Sequence, residues 1–210
     1  MIIETCAVGI MPTNSYLVAN EKSKEAIIID PGAQADVIIS KIRDLGLKPV
    51  AILLTHGHFD HIMAAQAIAE EYDISIHASE LEASLLSDSS LNGSNLIRNN
   101  ITLEADVLLE DRQVLNLAGF DIEVVNTPGH TSGGVCYYIK DEKVLFTGDT
   151  LFRESIGRTD FPTGDIRALV NSVVKHLFTL PEDVLVYPGH GDTTTIEHEK
   201  LNNPFLLEYR

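Results

Sequence analysis

Thr55-His56-Gly57-His58-Phe59-Asp60-His61 is the stretch that decides the fold, because it places three imidazoles and one carboxylate within a few consecutive positions. The apolar run Val50–Leu54 before it predicts a buried strand, and apolar residues at helical spacing from Ile62 to Tyr72 predict a helix after it. The cluster therefore lies on a turn at the carboxyl end of a strand, where α/β sheets hold their ligands. Imidazole nitrogen and carboxylate oxygen suit zinc, iron or manganese, so the motif predicts a metal site.

Three later segments repeat this arrangement of a strand, a glycine turn and a side chain able to bind metal. They are Val124–His130, Leu145–Asp149 and Leu185–His190. If their strands share a sheet, all the candidate ligands converge: His56, His58, Asp60, His61, His130, Asp149 and His190. Such a set exceeds the four ligands of a closed structural zinc site and fits an open two-metal site. A bridging carboxylate would let each metal take four protein contacts, and Asp149 is the choice for that bridge.

The rest of the chain alternates strands and helices in a way that predicts an α/β protein. The predicted strands, besides Val50–Leu54, are Ile2–Val8, Ser15–Val18, Ala26–Ile29, Ile74–His77, Val107–Leu109, Val114–Leu117, Ile122–Asn126, Val135–Ile139, Val144–Thr147 and Val184–Tyr187. The predicted helices, besides the one after the cluster, are Ala35–Leu45, Ile166–Leu177 with Asp165 as its N-cap, and Ile196–Leu201. Strands come first and βα units later, twice over, which suggests two similar halves within a single domain, 1–210.

Several polar segments carry alternative interpretations. Asp30, before a Pro-Gly turn, is either a turn residue or a carboxylate that orients a metal-binding histidine. Residues Ser87–Asn100, rich in Ser and Asn, favour a surface loop, with a cover for the site mouth as the alternative. His77, His176 and His198 lack the glycine-turn setting and are expected to be solvated or hydrogen-bonded.

Composition excludes some functions and sets the expected compartment. The formal net charge is −16, from 15 basic and 31 acidic residues, and nucleic-acid binders need a basic face, so a nucleic-acid partner is disfavoured. No apolar run approaches the ~20 residues that span a bilayer, which predicts no membrane role. The first residues show no secretory signal, and Cys6 and Cys136 form no C-x-x-C pair, so we expect a cytoplasmic protein in which each cysteine is a small buried residue.

The H-x-H-x-D-H cluster, followed in order by His130, Asp149 and His190, resembles the metallo-β-lactamase superfamily over nearly the whole chain. The resemblance implies a four-layer αβ/βα sandwich with the metals at one edge of the two sheets. It also implies a first metal held by His56, His58 and His130, a second held by Asp60, His61 and His190, and a bridge at Asp149.

Two further motifs indicate the branch. Thr127-Pro128-Gly129-His130-Thr131-Ser132-Gly133 and Gly157-Arg158-Thr159-Asp160 resemble the glyoxalase II-like, or hydroxyacylglutathione hydrolase-like, group. Well-known members have a Lys at the position of Arg158, an aromatic residue near Asp160 and a C-terminal helical domain beyond this chain's length, so the resemblance is to a shorter subfamily. The diiron flavoprotein branch has a Glu at the position of His58. The Gly-Arg-Thr-Asp stretch is also similar to persulfide dioxygenases, which use a single iron.

The resemblance implies a metal-dependent hydrolase that cleaves a small-molecule thioester, such as an S-acylated glutathione or a related thiol, by a metal-bound hydroxide. Two divalent metals are expected, with zinc first and iron or manganese as alternatives. Asp60 is the candidate catalytic residue, since it binds the second metal and orients the hydroxide. Arg158 either binds a substrate carboxylate or forms a salt bridge with Asp160. The alternative functions are a mononuclear iron persulfide dioxygenase and a non-catalytic metal scaffold.

Overall fold

The computed structural model, which describes residues 1–209, contains two six-stranded β-sheets. The strands of the first sheet are β1 Ile2–Val8, β2 Thr13–Ala19, β3 Glu25–Ile29, β4 Lys48–Leu53, β5 Ser75–Ser79 and β6 Val107–Leu109, and they lie in this order. The strands of the second sheet are β7 Val114–Leu117, β8 Phe120–Asn126, β9 Val135–Ile139, β10 Val144–Gly148, β13 Leu185–Pro188 and β14 Thr194–Thr195. Their order is β14-β13-β10-β9-β8-β7, and a separate hairpin pairs β11 Leu151–Phe152 with β12 Ser155–Ile156.

Helices cover the outer faces of the sheets. They are α1 Ala35–Asp44, α2 Phe59–Ile62, α3 Ala65–Tyr72, α4 Ala83–Leu86, α5 Ile166–Ser172 and α6 Ile196–Asn202. A π-helical turn, Val173–Leu177, prolongs α5, and short 3₁₀ turns lie at Glu80–Glu82, Ser94–Ile97, Lys140–Glu142 and Leu207–Tyr209. Within residues 1–209, none of these helices is long and apolar enough to cross a membrane.

Three apolar clusters define four layers. In β3, Ile28 packs with the α1 and α3 side chains, whereas its neighbours Ile27 and Ile29 join the cluster between the two sheets, as the two-residue period of a strand requires. On the far side, Leu145 and Val186 of the second sheet pack against Leu169 and other side chains of the α5 region. This helix–sheet–sheet–helix order is the αβ/βα sandwich that the resemblance implied.

The predicted ligand turns meet because their strands run in the same direction. β10 is parallel to β13, and β8 is antiparallel to β9, which is antiparallel to β10. The carboxyl ends of β8, β10 and β13 therefore lie at one edge of the second sheet. At the same edge the Val135 N–H donates to the Thr55 carbonyl, at 2.8 Å, and so joins the turn after β4 to the second sheet.

Several sequence predictions need correction. The helix predicted from Ile62 to Tyr72 begins only at Ala65, as α3, and Ile62 instead ends the separate short helix α2. Between them the Ala64 N–H donates to the Pro31 carbonyl, at 2.9 Å, and so joins this segment to the turn after β3. The helix predicted to end at Leu45 ends at Asp44. Cys136 is fully buried as predicted, but Cys6 is half-exposed. The sequence pattern missed α4, β14 and the β11–β12 hairpin.

Candidate metal centre

The predicted ligands converge at the shared edge of the two sheets and form two groups. In each group the ligand atoms lie within 4.8 Å of one another. We call them the first triad (His56, His58 and His130) and the second triad (Asp60, His61 and His190). Each triad combines the turn after β4 with a turn from the second sheet, so neither half of the chain forms a triad alone.

Asp149 lies between the triads. Its Oδ1 is 3.3 Å from His61 Nε2, and its Oδ2 is 3.5 Å from His130 Nε2 and 3.7 Å from His190 Nε2. The carboxylate therefore faces donors of both triads. This is the position that a bridging ligand between two metals would occupy.

Asp30 orients two of the imidazoles from behind. Its Oδ2 accepts from His61 Nδ1, at 2.9 Å, and from the Thr55 hydroxyl, at 2.5 Å, while its Oδ1 accepts from the Thr55 N–H, at 2.7 Å. The Thr55 hydroxyl oxygen in turn accepts from His56 Nδ1, at 3.1 Å. Of the two interpretations left open by the sequence, the structure therefore shows the orienting carboxylate, which holds Nε2 of both histidines toward the cluster.

Backbone carbonyls orient two further imidazoles. His130 Nδ1 donates to the Arg158 carbonyl, at 2.7 Å, and His190 Nδ1 donates to the Pro12 carbonyl, at 2.9 Å. Each bond leaves Nε2 free as an electron-pair donor. Sequence analysis missed both partners because any residue carries a backbone carbonyl. It also missed Thr55, although Thr55 directly precedes His56 and its hydroxyl is able to orient that imidazole.

His58 departs from this pattern and turns its Nδ1 into the cluster, 2.9 Å from His130 Nε2. Among residues 1–209, three buried atoms that face the cluster find no hydrogen-bond partner: Nε2 of His56 and His61, and Oδ1 of Asp149. The buried Nε2 of His58, on the other side of its ring from Nδ1, has none either. The His61–Asp149 pair is thus close without hydrogen-bond geometry. Buried polar atoms are normally satisfied, and a divalent cation would satisfy convergent imidazole and carboxylate donors. The donor set therefore fits a divalent metal centre.

The two triads differ in charge. Burial lowers the pKa of His56 well below its ordinary value and that of His58 to about 3, so both are neutral and can donate an electron pair. Burial also opposes protonation of His61, but the carboxylates of Asp149, Asp60 and Asp30 outweigh it and raise the pKa of His61 well above its ordinary value. Negative potential is therefore concentrated around the second triad.

The turn that carries His190 needs glycine before it. A Cβ on Gly189 would lie 2.4 Å from Asp149 Oδ1 and 2.7 Å from His61 Cε1, inside the cluster itself. The glycine therefore lets the backbone approach the ligands closely.

Strand β2 of the opposite sheet fixes this turn. Asn14 Nδ2 donates to the carbonyls of Pro188, at 3.1 Å, and Gly191, at 2.9 Å. The Tyr16 hydroxyl donates to the same Pro188 carbonyl, at 2.6 Å. His190 is therefore held in place from both sheets, through residues with no recognisable sequence signal.

The floor of an open cavity of about 650 Å³ is formed by five members of the cluster: His58, Asp60, His130, Asp149 and His190. Residues 90–93, 95 and 96 line one side of the cavity. Asn92 is buried, and its carbonyl accepts from the Phe59 N–H, at 2.9 Å, directly beside the ligand turn. Most of Ser87–Asn100 is exposed, as expected of a surface loop, but the segment also lines the cavity, which agrees with the alternative interpretation.

Arg158 has a defined partner, and so do the histidines outside the cluster, except His77. Arg158 Nε and Nη2 each donate to Asp160, at 2.7 Å, which is one of its two predicted roles; substrate binding stays a prediction. His176 contacts Arg112, and His198 contacts Glu154, as expected of hydrogen-bonded histidines. His77 differs, because its buried Nδ1 finds no partner within the described part of the chain.

Comparison with known sequences supports these features. A family model described as the metallo-β-lactamase superfamily matches residues 8–190. "Probable metallo-hydrolase YqgX" of Bacillus subtilis (strain 168) is 42% identical over 201 residues, which cover 95% of this chain and 94% of that protein. "Hydroxyacylglutathione hydrolase GloC" of Haemophilus influenzae is 38% identical over 212 residues, which cover 98% of each protein.

Solved structures show the same similarity. The BLEG-1 B3 metallo-β-lactamase matches with a TM-score of 0.94 at 42% identity, over 98% of this chain and 99% of that one. TTHA1623 in a di-iron-bound form matches with a TM-score of 0.86 at 35% identity, over 97% and 100%. ETHE1 from Myxococcus xanthus matches with a TM-score of 0.81 at 31% identity, over 97% and 84%.

Proposed function

The chain belongs to the metallo-β-lactamase superfamily, and on that premise we propose that it is a metal-dependent hydrolase that cleaves a thioester. The observation that carries the proposal is that two triads of metal-binding side chains lie side by side and each contributes two members to the lining of one open cavity. A closed structural site would have neither the second triad nor the opening. The similarity to a relative named hydroxyacylglutathione hydrolase supports a thioester rather than another acyl substrate.

In this proposal the first triad holds one divalent metal, the second triad holds another, and Asp149 bridges them. Two metals bound there would lower the pKa of a coordinated water and polarise the carbonyl oxygen of the substrate. Zinc is the first expectation, with iron or manganese as alternatives, since imidazole and carboxylate accept all three.

In the proposal, Asp60 orients the attacking water. Its Oδ2 lies 3.3 Å from His190 Nε2 and accepts from the Thr13 hydroxyl, at 3.4 Å. Burial opposes ionisation of Asp60, but the neighbouring His61 and His190 imidazoles lower its pKa below the ordinary value. The carboxylate is therefore ionised at neutral pH and can accept a hydrogen bond from the water that attacks the carbonyl carbon.

The residues around the cavity favour a leaving group that needs no general acid. Among the described residues that line the cavity there is no lysine, tyrosine or cysteine. A thiol has a pKa near ~8.5, so a thiolate departs without protonation, whereas an amine or alkoxide needs a proton donor. A thioester is therefore the acyl substrate that this cavity is best equipped to cleave.

A second candidate, a persulfide dioxygenase that uses one iron, is favoured by the similarity to ETHE1 from Myxococcus xanthus. The first triad alone would hold that iron. The complete second triad, with Asp149 between the two, favours the hydrolase, because a mononuclear enzyme has no use for these further donors.

The test is to supply the metal-loaded protein with S-lactoylglutathione, with a thioester of N-acetylcysteamine, with glutathione persulfide and with a chromogenic cephalosporin. Thiol release, dissolved oxygen and β-lactam opening are followed in parallel. The proposal predicts thiol release from at least one thioester, no oxygen uptake, and loss of activity on chelation with recovery when metal is returned. Oxygen consumption with the persulfide and no thioester cleavage would establish the dioxygenase, and cephalosporin opening without thioester cleavage would establish a β-lactamase.

A further inference from the structure

The floor of the cavity is polar, whereas its walls carry several apolar side chains. Phe161 lies beside the first triad, with its ring centroid 5.3 Å from that of His58. Phe152 lies beside the second triad, with its ring centroid 6.1 Å from that of His190. Leu91 and Ile156 also line the cavity. A substrate held over the metals therefore contacts hydrocarbon on its way to the floor.

The mouth of the cavity is apolar too. Leu96 is 69% exposed and Met11 is 48% exposed, and both line the cavity. The neighbouring Ile10 is 87% exposed. Apolar side chains gathered around an opening gain from being covered, and such patches mark surfaces that bind apolar groups.

The cavity provides little for an anionic substrate. Among the described lining residues, Arg158 is the one with a permanent positive charge. Two of its three guanidinium nitrogens, Nε and Nη2, donate to Asp160. Its guanidinium carbon lies 4.0 Å from the centroid of the Phe161 ring. An acylated glutathione brings two carboxylates, and a carboxylate that loses water without gaining a partner is strongly disfavoured. The net charge of −16 opposes phosphate-bearing thiols as well.

We propose that the substrate is a thioester of an uncharged thiol with an apolar acyl group, either a medium-length alkyl chain or an aromatic group. This inference rests on the proposed thioester hydrolase and specifies its substrate class. A cavity of about 650 Å³ is within the range of small-molecule sites and accommodates such a chain beside the metals.

The test compares acyl groups on one uncharged thiol and thiols on one acyl group. The substrates are acetyl, butyryl and hexanoyl thioesters of N-acetylcysteamine, together with hexanoyl- and lactoylglutathione. Each fully buried methylene raises kcat/KM roughly fourfold. Because an open cavity buries the chain only in part, kcat/KM is expected to rise at least about tenfold from acetyl to hexanoyl. The hexanoyl thioester of N-acetylcysteamine exceeds hexanoylglutathione.

The outcomes separate this inference from the proposed function. Preference for lactoylglutathione over every uncharged thioester, or no dependence on acyl length, would overturn the apolar substrate class and leave the hydrolase standing. Failure to cleave any thioester would overturn both.

A matched pair of variants locates the selectivity at the mouth. Leu96→Asn lowers the hexanoyl-to-acetyl ratio of kcat/KM by about threefold or more, since the longer acyl chain loses an apolar contact. Leu108→Asn is the control, because Leu108 on β6 is 52% exposed but does not line the cavity. It leaves the ratio unchanged. Equal ratios in both variants would contradict the placement of the acyl group.

A second inference comes from Glu82, a residue that no sequence motif singled out. It is fully buried in the 3₁₀ turn after β5. Its Oε2 accepts from the Gly57 N–H and its Oε1 from the Gly133 N–H, both at 2.8 Å. Gly57 lies between His56 and His58, and Gly133 follows His130 by three residues. One carboxylate therefore joins the two ligand turns of the first triad across the two sheets.

We infer that Glu82 is a positioning residue for the first triad. A carboxylate can accept at both oxygens, whereas a glutamine offers one acceptor and one donor, so Glu82→Gln confronts one glycine N–H with a second donor. Glu82→Ala removes both bonds. Because each glycine N–H then loses its acceptor, the two turns are held less firmly against each other and the spacing of the three imidazoles is relaxed.

The measurement is the metal dissociation constant, by competition with a chromophoric chelator, beside the melting temperature of the metal-free protein. Glu82→Gln weakens binding by about tenfold and Glu82→Ala by up to about a hundredfold, the scale found for residues that orient metal ligands. Glu199→Gln is the control, because Glu199 is equally buried but bonds Thr194, Glu154 and Asn203. It lowers the melting temperature and leaves metal affinity unchanged. If Glu82→Gln behaves like Glu199→Gln, its role is structural alone.

Discussion

The two triads stand side by side but are built differently. The first consists of imidazoles alone, and His56, His58 and His130 are 3%, 6% and 4% exposed. The second contains its own carboxylate and is more open, since the side chains of His190 and Asp60 are 28% and 13% exposed. One triad consists of imidazoles and is enclosed, whereas the other combines two imidazoles with a carboxylate and is more exposed. We therefore expect the first to retain its metal and the second to exchange it.

Removing a ligand of the first triad gives the largest effect. His58→Ala leaves two buried imidazoles, which cannot hold a metal well. Asp149 then faces a triad that lacks one of its ligands. The metal content of the first triad and thioester hydrolysis are lost together. Metal analysis and the initial rate check this, with His176→Ala as the control, because that half-buried histidine contacts Arg112 away from the cluster. A His58→Ala protein that kept its metal and its activity would contradict the assignment of His58 as a ligand.

His190→Ala gives a smaller loss and tests whether the triads differ. The first triad is intact, so the variant keeps about one metal per chain. Activity falls by roughly 10²-fold, which corresponds to ~2.7 kcal/mol of lost transition-state stabilisation. Single-turnover rates and metal content measure both quantities. Loss of both metals would show that the triads are not independent.

A chelator sharpens the same contrast without mutation. Brief exposure to a chelator removes the second-triad metal first, because the side chains of His190 and Asp60 are more exposed than the first-triad histidines, and the remaining metal leaves more slowly. The expected record is two kinetic phases of metal release, with activity lost in the fast phase. A single phase would mean that burial does not distinguish the two positions.

Asp30→Asn acts on orientation rather than on a ligand. The amide keeps the size of Asp30 but cannot accept at every position, so the bond from His61 Nδ1 or that from Thr55 is lost. Metal affinity at the second triad falls by about 10- to 100-fold, as expected for a carboxylate behind a ligating histidine. Titration with a chromophoric chelator measures it. Because Asp30 reaches His56 through Thr55, a smaller loss at the first triad accompanies it.

Arg158→Ala gives the smallest effect. The carbonyl that orients His130 is kept, and an exposed ion pair contributes less than about 1 kcal/mol. Activity toward an uncharged thioester therefore changes by less than about tenfold, and the melting temperature hardly moves. A large rise in KM for an acylated glutathione would instead support the predicted role in binding a substrate carboxylate.

The sequence predicts the candidate ligands of both triads but not the groups that orient them. The candidate ligands were found because each occupies a turn at the end of an apolar strand, and strand direction brought the ends together. The partners that orient them were not found. The carbonyls of Arg158 and Pro12 have no side-chain signature, and no pattern marks Glu82 within the mixed segment from Leu81 to Leu86, which also contains Ser84. The cavity walls come from loops whose packing depends on contacts distant in sequence.

The central claim is a two-metal hydrolytic centre, and the most direct test is the number of metal ions per chain in active protein. The protein is purified, loaded with zinc, iron or manganese in turn, passed through a desalting column and analysed for metal beside its thioester hydrolysis rate. The account predicts about two ions per chain, with activity that rises as the second ion binds. Full activity at one ion per chain, unchanged by more metal, would contradict it.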